Sequence, residues 1–203
     1  TFAGTDGETQ PITVSIIDDN LIEATERLFI DLSNLSTTLI AINDHQGTIN
    51  ITDNDNIPGV TGISFENDNI TVDEAAGTAT INVLLTGNVQ DGFTIDFSTN
   101  NDSAISPGDY THNKGQLTFS GTDGEVHPIT VSIIDDTLIE FTESLFVDLS
   151  DLSTTLIAIN DNQGTINITD NDADPTLYGV QFDITSIDVN EDAGTVSLDV
   201  ILN

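Results

Sequence analysis

The stretch Ile133-Ile134-Asp135-Asp136-Thr137-Leu138-Ile139-Glu140-Phe141-Thr142-Glu143 is a hydrophobic strand pattern that runs directly into two pairs of carboxylates. A second acidic cluster, Asp170-Asn171-Asp172, follows further along the chain. The same arrangement occurs earlier, from Ile17-Asp18-Asp19 through Glu26 to Asp53-Asn54-Asp55. Carboxylates that stand at strand ends in two copies indicate a repeated β unit with a charged end.

An internal repeat predicts the domain organisation. Residues 1–55 align with residues 118–172 without a gap, an offset of 117 residues, and Val72-Asp73-Glu74 returns at the same offset as Val189-Asn190-Glu191. A period this long is typical of a domain array rather than of a solenoid of single hairpins. We therefore predict three units: the C-terminal half of a first unit (1–55), a complete second unit (56–172) and the N-terminal part of a third unit (173–203).

Apolar and polar residues alternate with a period of two throughout the second unit, which predicts β-strands with one buried face. Turn signals such as Gly87-Asn88 and Asp91-Gly92 fall between the runs. The fold class predicted is all-β, with tandem immunoglobulin-like antiparallel β-sandwich domains of about seven strands each. The predicted strands are centred on residues 63–65, 70–72, 81–85, 93–97, 117–119, 129–133, 145–149 and 166–168.

The composition excludes several classes of partner. The chain has Asp+Glu 35 against Lys+Arg 2 and a formal net charge of -33, so a direct nucleic-acid partner is excluded because phosphate binding needs a basic face. With Cys 0 there is no thiolate site. No apolar run reaches about 18 residues, so we expect no direct membrane insertion. Because the sequence has no initiating Met, we expect it to be an excerpt of a longer protein.

The clustered carboxylates of the second unit point to a hard divalent cation. Two unit charges about 4 Å apart repel by roughly 1 kcal/mol in water and by several times that near a protein surface. Two basic residues cannot neutralise so many acids, whereas calcium accepts six to eight oxygen ligands in irregular geometry. An ordinary acidic turn remains the alternative for any one pair. The pairs considered are Asp135 with Asp136, Glu140 with Glu143, and Asp170 with Asp172.

A set of motifs, matched together and in order, carries a family resemblance across the complete unit and both partial ones. The motifs are Phe65 with Val72-Asp73-Glu74 and Gly77, Pro107-Gly108-Asp109-Tyr110, Gly115-Gln116-Leu117-Thr118-Phe119, the stretch from Ile133 to Glu143, and Ile168-Thr169-Asp170-Asn171-Asp172. This pattern resembles the Calx-beta domain, a calcium-binding β-sandwich that gathers several ions at one end, beside the next domain. Asn171 departs from the family's best sites, which carry a third Asp there, and this would reduce the affinity or the number of ions.

The resemblance implies Ca²⁺ as the bound cofactor and assigns metal ligands residue by residue. In the second unit they are Glu74, Asp109, Asp135, Asp136, Glu140, Glu143, Asp170 and Asp172, with the backbone carbonyl of Leu138. In the first unit they are Asp18, Asp19, Glu23, Glu26, Asp53 and Asp55, with Leu21 as the counterpart of Leu138. In the third unit Glu191 is the one matching ligand.

The favoured function is a calcium-binding structural repeat of a long secreted cell-surface protein, an adhesin or an extracellular filament, in which calcium stiffens the domain junctions. The alternatives are a calcium-sensing regulatory module and a carbohydrate-binding accessory module. No catalytic arrangement of Ser, His and Asp is recognisable, so we expect no enzyme. The expected partners are neighbouring repeats of the same chain, with other protomers in a filament or a cell-surface ligand as further candidates, at an extracellular location.

Overall fold

The computed structural model describes residues 1–172 and 179–202, and this part of the chain is built almost entirely of β-strands and loops. Two single 3₁₀ turns, Glu74–Ala76 and Glu191–Ala193, are its helical elements. Within the described residues, no helix has the length and apolar character needed to span a bilayer. The strands are β1 (Leu21–Ile22), β2 (Glu26–Asp31), β3 (Gln46–Ile51), β4 (Gly62–Phe65), β5 (Asn69–Asp73), β6 (Thr78–Thr86), β7 (Asn88–Val89), β8 (Phe93–Asn101), β9 (Lys114–Phe119), β10 (Val126–Ser132), β11 (Glu143–Ser150), β12 (Ala158–Ile159), β13 (Gln163–Thr169), β14 (Val180–Phe182) and β15 (Val200–Leu202).

The second unit is a two-sheet sandwich. One sheet has four strands in the order β10-β6-β4-β12, and the other has five in the order β5-β13-β11-β8-β9. Most neighbours are antiparallel, but β5 runs parallel to β13 and β12 runs parallel to β4. The predicted fold class, an all-β sandwich, is therefore confirmed, with parallel strands at one edge of each sheet.

The core lies between the two sheets and uses the alternating residues of each strand. On β6, Ile81, Val83 and Leu85 are 1%, 0% and 0% exposed, and each such side chain contributes about 1.5–3 kcal/mol when fully buried. The sheets approach closely at Gly164 on β13, where a Cβ atom would lie 2.5 Å from Cδ1 of Ile81. A glycine at this position lets the two sheets meet without displacing the core.

The structure adds two short strands that the alternation did not predict. Strands β7 and β12 have two residues each, which is too short for a period of two to be recognised. The sequence Gly87-Asn88 was expected to be a turn, yet Asn88 begins β7 because β1 of the first unit pairs with it in parallel. A neighbouring unit thus determines the conformation of this segment.

The partial units are less regular. In the first unit, β2 and β3 form the antiparallel pair that corresponds to β11 and β13 of the second unit. Residues 9–15, the counterpart of β10, form no strand. The partner of β10 is β6, and β6 has no counterpart within residues 1–55. In the third unit, β14 pairs with β15.

Candidate metal centre

Strand register brings the predicted ligands of the second unit to one end of the sandwich. Because β5 and β13 run parallel with Asp73 opposite Thr169, the residues that follow each strand, Glu74 and Asp170, leave the sheet side by side. Because β11 runs antiparallel to β13, its first residue, Glu143, also lies at this end. Asp172 follows Asp170 after β13, and the loops before β9 and β11 supply the other predicted ligands.

The first carboxylate cluster consists of Glu74, Asp170 and Asp172, whose candidate ligand oxygens lie within 4.8 Å of one another. Glu74 is 4% exposed, and its Oε1 accepts a hydrogen bond of 3.4 Å from the backbone N–H of Asn171. The backbone N–H of Asp172 donates to Oδ1 of Asp170 at 2.9 Å. The Asp-Asn-Asp segment therefore curls around the buried glutamate.

The second carboxylate cluster consists of Asp109, Glu140 and Glu143, also with ligand oxygens within 4.8 Å of one another. Tyr110, which is fully buried, forms a β-bridge to Ile133 and holds the Asp109 loop against the end of β10. Asp109 is about 30 residues from Glu140 and Glu143 in the sequence, yet the fold brings the three partly buried carboxylates into one group.

One hydrogen bond joins the two clusters, and a second joins the loops that carry them. The backbone N–H of Glu140, in the second cluster, donates to Oδ2 of Asp170, in the first, at 3.2 Å. The side chain of Asn171 donates to Oδ1 of Asp135 at 3.2 Å. Asn171, noted in the sequence only as a missing carboxylate, thus serves as a brace, a role that nothing in its sequence context indicates.

The remaining predicted ligands of this unit, Asp135, Asp136 and Leu138, lie on the same loop but outside the two tight clusters. Oδ1 of Asp136 accepts a hydrogen bond of 2.6 Å from the backbone N–H of Leu138, which makes a local turn. The side chain of Leu138 is 60% exposed. The structure thus places these residues beside the clusters, and their role as ligands stays a prediction.

Among the residues that the structure describes, no basic side chain forms an ion pair at this acidic end. Within the described residues the ion pair found is His127 with Glu125, at 2.8 Å. The two basic residues, Arg27 and Lys114, lie on β2 and β9, and neither pairs with a carboxylate of the clusters. Like-charge repulsion is therefore left for a bound cation to relieve.

The pKa values of the clustered acids follow from this environment. Burial, then a hydrogen bond with Asp109, then the charges of Asp109 and Glu140 raise the pKa of Glu143 to about 7. Burial first, and neighbouring carboxylates second, also raise the pKa of Glu140 and that of Asp172. Burial likewise raises the pKa of Glu74, against the opposing effect of its backbone hydrogen bond. Each shift reports a negative charge that the protein alone does not stabilise.

The donor set fits a calcium ion. All the groups in the two clusters are carboxylate oxygens, the hard ligands that calcium prefers, and they come from irregular loops of the kind that suits its flexible coordination. Within the described residues, Oδ2 of Asp172 is the buried side-chain polar atom without a hydrogen-bond partner. A buried acceptor without a donor is costly, and a cation would satisfy it.

In the first and third units the predicted ligands are less closely grouped than those at the acidic end of the second unit. All seven predicted ligands of the first unit line one cleft of about 190 Å³, and burial followed by neighbouring carboxylates raises the pKa of Glu23 and of Asp55. The tight carboxylate clusters that the described residues contain are nevertheless both in the second unit. Glu191 is exposed and lines a cleft with residues 189–190 and 193–196, none of which is another predicted ligand. The residues lining the first cleft include Asp18, Asp19, Leu21, Glu23, Glu26, Asp53 and Asp55.

Another contact that sequence reasoning missed is that of Gln90. Its Nε2 donates to Oε1 of Glu23, a predicted ligand of the first unit, at 3.1 Å. The two residues are 67 positions apart and belong to different units, so no local pattern could have connected them.

The fold and this end together define a class: two-sheet β-sandwich domains whose loops gather carboxylates at one end. The chain belongs to the Calx-beta domain family, whose sequence profile matches residues 1–55 and 58–172. The predicted resemblance is therefore confirmed.

Individual relatives agree with this assignment. Sodium/calcium exchanger 1 of Bos taurus is 30% identical over 164 residues, which is 71% of this chain and 16% of the exchanger. The chain thus spans about a sixth of that relative's length. The apo form of the Calx CBD1 domain superposes with a TM-score of 0.50 at 25% identity, covering 54% of this chain and 96% of that one. The calcium binding domain CBD12 of CALX1.1 gives a TM-score of 0.51 at 23% identity, covering 55% and 45%.

Proposed function

We propose that the second unit binds calcium at its acidic end and that the ion orders the loop between β10 and β11. The observation that carries this proposal is the triad of the buried Glu74 and the partly buried Asp170 and Asp172, which contains a buried carboxylate oxygen without a donor. When bound, the ion would supply positive charge, and the carboxylate oxygens of the site would coordinate it. The relatives that bear the name calcium binding domain support the choice of ion.

The chain's own residues would prepare the site in two ways. Strand register holds Glu74 and Asp170 at neighbouring strand ends, so these ligands need little reorganisation. The loop carrying Glu140 is held to the Asp-Asn-Asp segment by two hydrogen bonds, from the backbone N–H of Glu140 to the carboxylate of Asp170 and from the side chain of Asn171 to Asp135. Binding would therefore order this loop most, because it gains the most contacts per residue.

Calcium binding is best tested by isothermal titration of the whole chain, together with the substitution Asp172→Asn. We expect the substitution to weaken calcium binding at least about tenfold, since it removes one charged ligand. The matched control is Asp68→Asn, because Asp68 is exposed in the loop before β5, at the far end of that strand from Glu74. Equal calcium affinity in both variants would reject the site.

For the biological role we propose a repeat module of a long extracellular surface protein, with calcium stiffening the junctions between repeats. Support comes from the tandem copies, the acidity and the contacts across the junction. Strand β1 of the first unit pairs with β7 of the second unit. At the start of the second unit, the side chain of Asn56, which follows the acidic Asp53–Asp55 segment, donates to the backbone oxygen of Leu156 at 2.6 Å. The Gln90 to Glu23 bond crosses the same junction. An ion in the first unit would therefore be braced by the second unit.

A calcium-sensing role is the second candidate, and the similarity to an exchanger favours it. A sensor needs two preferred arrangements of the units, between which calcium shifts the population. A structural joint needs one arrangement, and calcium narrows the range of distances between the units. Spin labels at Thr38→Cys and Asp68→Cys, one in each unit, would measure the distance distribution with calcium and with chelator. A single distribution that narrows supports the structural role, and two separated maxima support the sensor.

A further inference from the structure

The first unit touches the second through a two-residue strand that lies inside its own acidic loop. Strand β1 pairs in parallel with β7, with Leu21 opposite Asn88 and Ile22 opposite Val89. Ile22 is 1% exposed and belongs to the buried core of the second unit. The joint is therefore an apolar side chain inserted from one repeat into the next, between the predicted ligands of the first repeat.

The receiving side is a notch shaped to hold one aliphatic side chain. A Cβ atom on Gly87 would lie 2.9 Å from Cδ1 of Ile22 and 3.2 Å from Cγ2 of Thr61, so only glycine leaves the space that Ile22 occupies. Val89 closes the notch at 3% exposure. The backbone N–H of Gln90 donates to the backbone oxygen of Ile22 at 2.9 Å, which extends the strand pairing. We call residues 87–90 the notch.

The second unit carries the same insert, but there it is exposed. By the offset of 117 residues, Leu138 and Ile139 are the counterparts of Leu21 and Ile22. Leu138 is 60% exposed and Ile139 is 56% exposed. Phe141, which stands where the first unit has an alanine, is 94% exposed. These three apolar side chains form an exposed patch on one loop of the second unit. In the first unit the counterpart of Ile139 is Ile22, which is buried against the next unit.

We propose that Leu138–Ile139 is a docking strand that inserts into the notch of a following repeat of the same family. The partner chemistry is a sandwich edge with glycine at the position of Gly87 and an aliphatic residue at that of Val89. Residues 173–203, the N-terminal part of the third unit, do not include the position that corresponds to the notch. This inference rests on the tandem arrangement in the proposed function but not on calcium binding.

The test uses a longer chain in which a second copy of residues 56–172 is inserted between Asp172 and Ala173, so that Ile139 faces a complete notch. The protein has no cysteine, so Ile139→Cys gives a single thiol whose labelling rate reports its burial. We expect Ile139→Cys to be labelled at least about tenfold more slowly in the longer chain than in the 203-residue chain. The matched control is Thr137→Cys, because its counterpart Asn20 is exposed in the existing joint; its rate should stay the same.

A second measurement does not depend on cysteine. In the longer chain, the backbone amide of the inserted copy that corresponds to Gln90 should exchange slowly, and Ile139→Ser should accelerate its exchange. In the 203-residue chain the same substitution should leave the exchange rate of the Gln90 amide unchanged, because that amide bonds to Ile22. If Ile139→Cys is labelled equally fast in both chains and the inserted Gln90 amide exchanges freely, docking is wrong. Protection that persists in chelator would support docking while rejecting a calcium-dependent junction, so the two proposals can fail separately.

Discussion

Replacing Glu74 by Gln should change the stability of the chain in opposite directions with and without calcium. Glu74 is almost fully buried and has its ligand oxygen within 4.8 Å of those of Asp170 and Asp172. Without calcium, the substitution removes one negative charge from this group, so the calcium-free variant should be more stable than the wild type. With calcium, it removes a ligand, so the variant should gain less from the ion.

The size of the first effect follows from Coulomb's law. Two unit charges about 4.8 Å apart repel by about 1 kcal/mol in water and by about 3.5 kcal/mol at an effective dielectric constant of about 20. Relief of one such pair should raise the melting temperature of a domain of this size by about 3–6 °C per kcal/mol. The loss of a ligand should weaken calcium binding by about tenfold, or about 1.4 kcal/mol.

Thermal melting at pH 8 with chelator and with excess calcium measures both effects in the whole chain. The matched control is Glu66→Gln, since Glu66 is exposed, belongs to neither cluster, and accepts a hydrogen bond from Asn82 on the neighbouring strand β6. A Glu74→Gln variant that melts below the wild type in chelator would refute the argument from repulsion. Equal stabilisation of variant and wild type by calcium would show that Glu74 is no ligand.

Two further predictions concern proton binding and packing. Because burial and Asp109 raise the pKa of Glu143 from 4.5 to about 7, the folded chain holds a proton that the unfolded chain releases. In chelator, the contribution of Glu143 to the free energy of unfolding should therefore be greatest below pH 4.5 and should be lost as the pH rises through about 7. Urea unfolding measured across this range would contradict the raised pKa of Glu143 if the free energy of unfolding showed no such fall. Gly164→Ala should destabilise the second unit by about 1–3 kcal/mol, because the new Cβ would lie 2.5 Å from Cδ1 of the buried Ile81. The control is Gly179→Ala, where a new Cβ would have no atom within 4 Å, so this variant should melt at the wild-type temperature. If Gly164→Ala also melted at the wild-type temperature, the two sheets would be able to move apart at little cost in free energy.

Alternation proved sufficient to find the main strands of the second unit. The predicted centres at 81–85 and 145–149 fall within β6 and β11, and the predicted inward residues are buried. Alternation could not predict the parallel placement of β5 beside β13. That pairing joins residues about 97 positions apart, and a strand's own sequence does not specify which neighbour it takes.

The acids could be located from the sequence because their spacing recurs in two copies, but their grouping could not. Asp109 and Glu143 are neighbours only because the loop before β9 is held to the end of β10 by the Tyr110 bridge. The division into two clusters, with Asp135 outside both, depends on side-chain directions that a list of carboxylates does not contain.

The sequence by itself determined that this is a β repeat protein with an acidic end and too few basic residues to balance it, with Lys+Arg 2 against Asp+Glu 35. Periodicity and composition are local and additive properties, so they can be read without the fold. Only the tertiary structure decided which carboxylates share a site and which apolar residue joins two repeats. Ile22 and Ile139 occur in nearly the same local sequence, yet one is 1% exposed and the other is 56% exposed. The difference arises because burial depends on which unit packs against the residue. The local sequence around an isoleucine does not specify that unit.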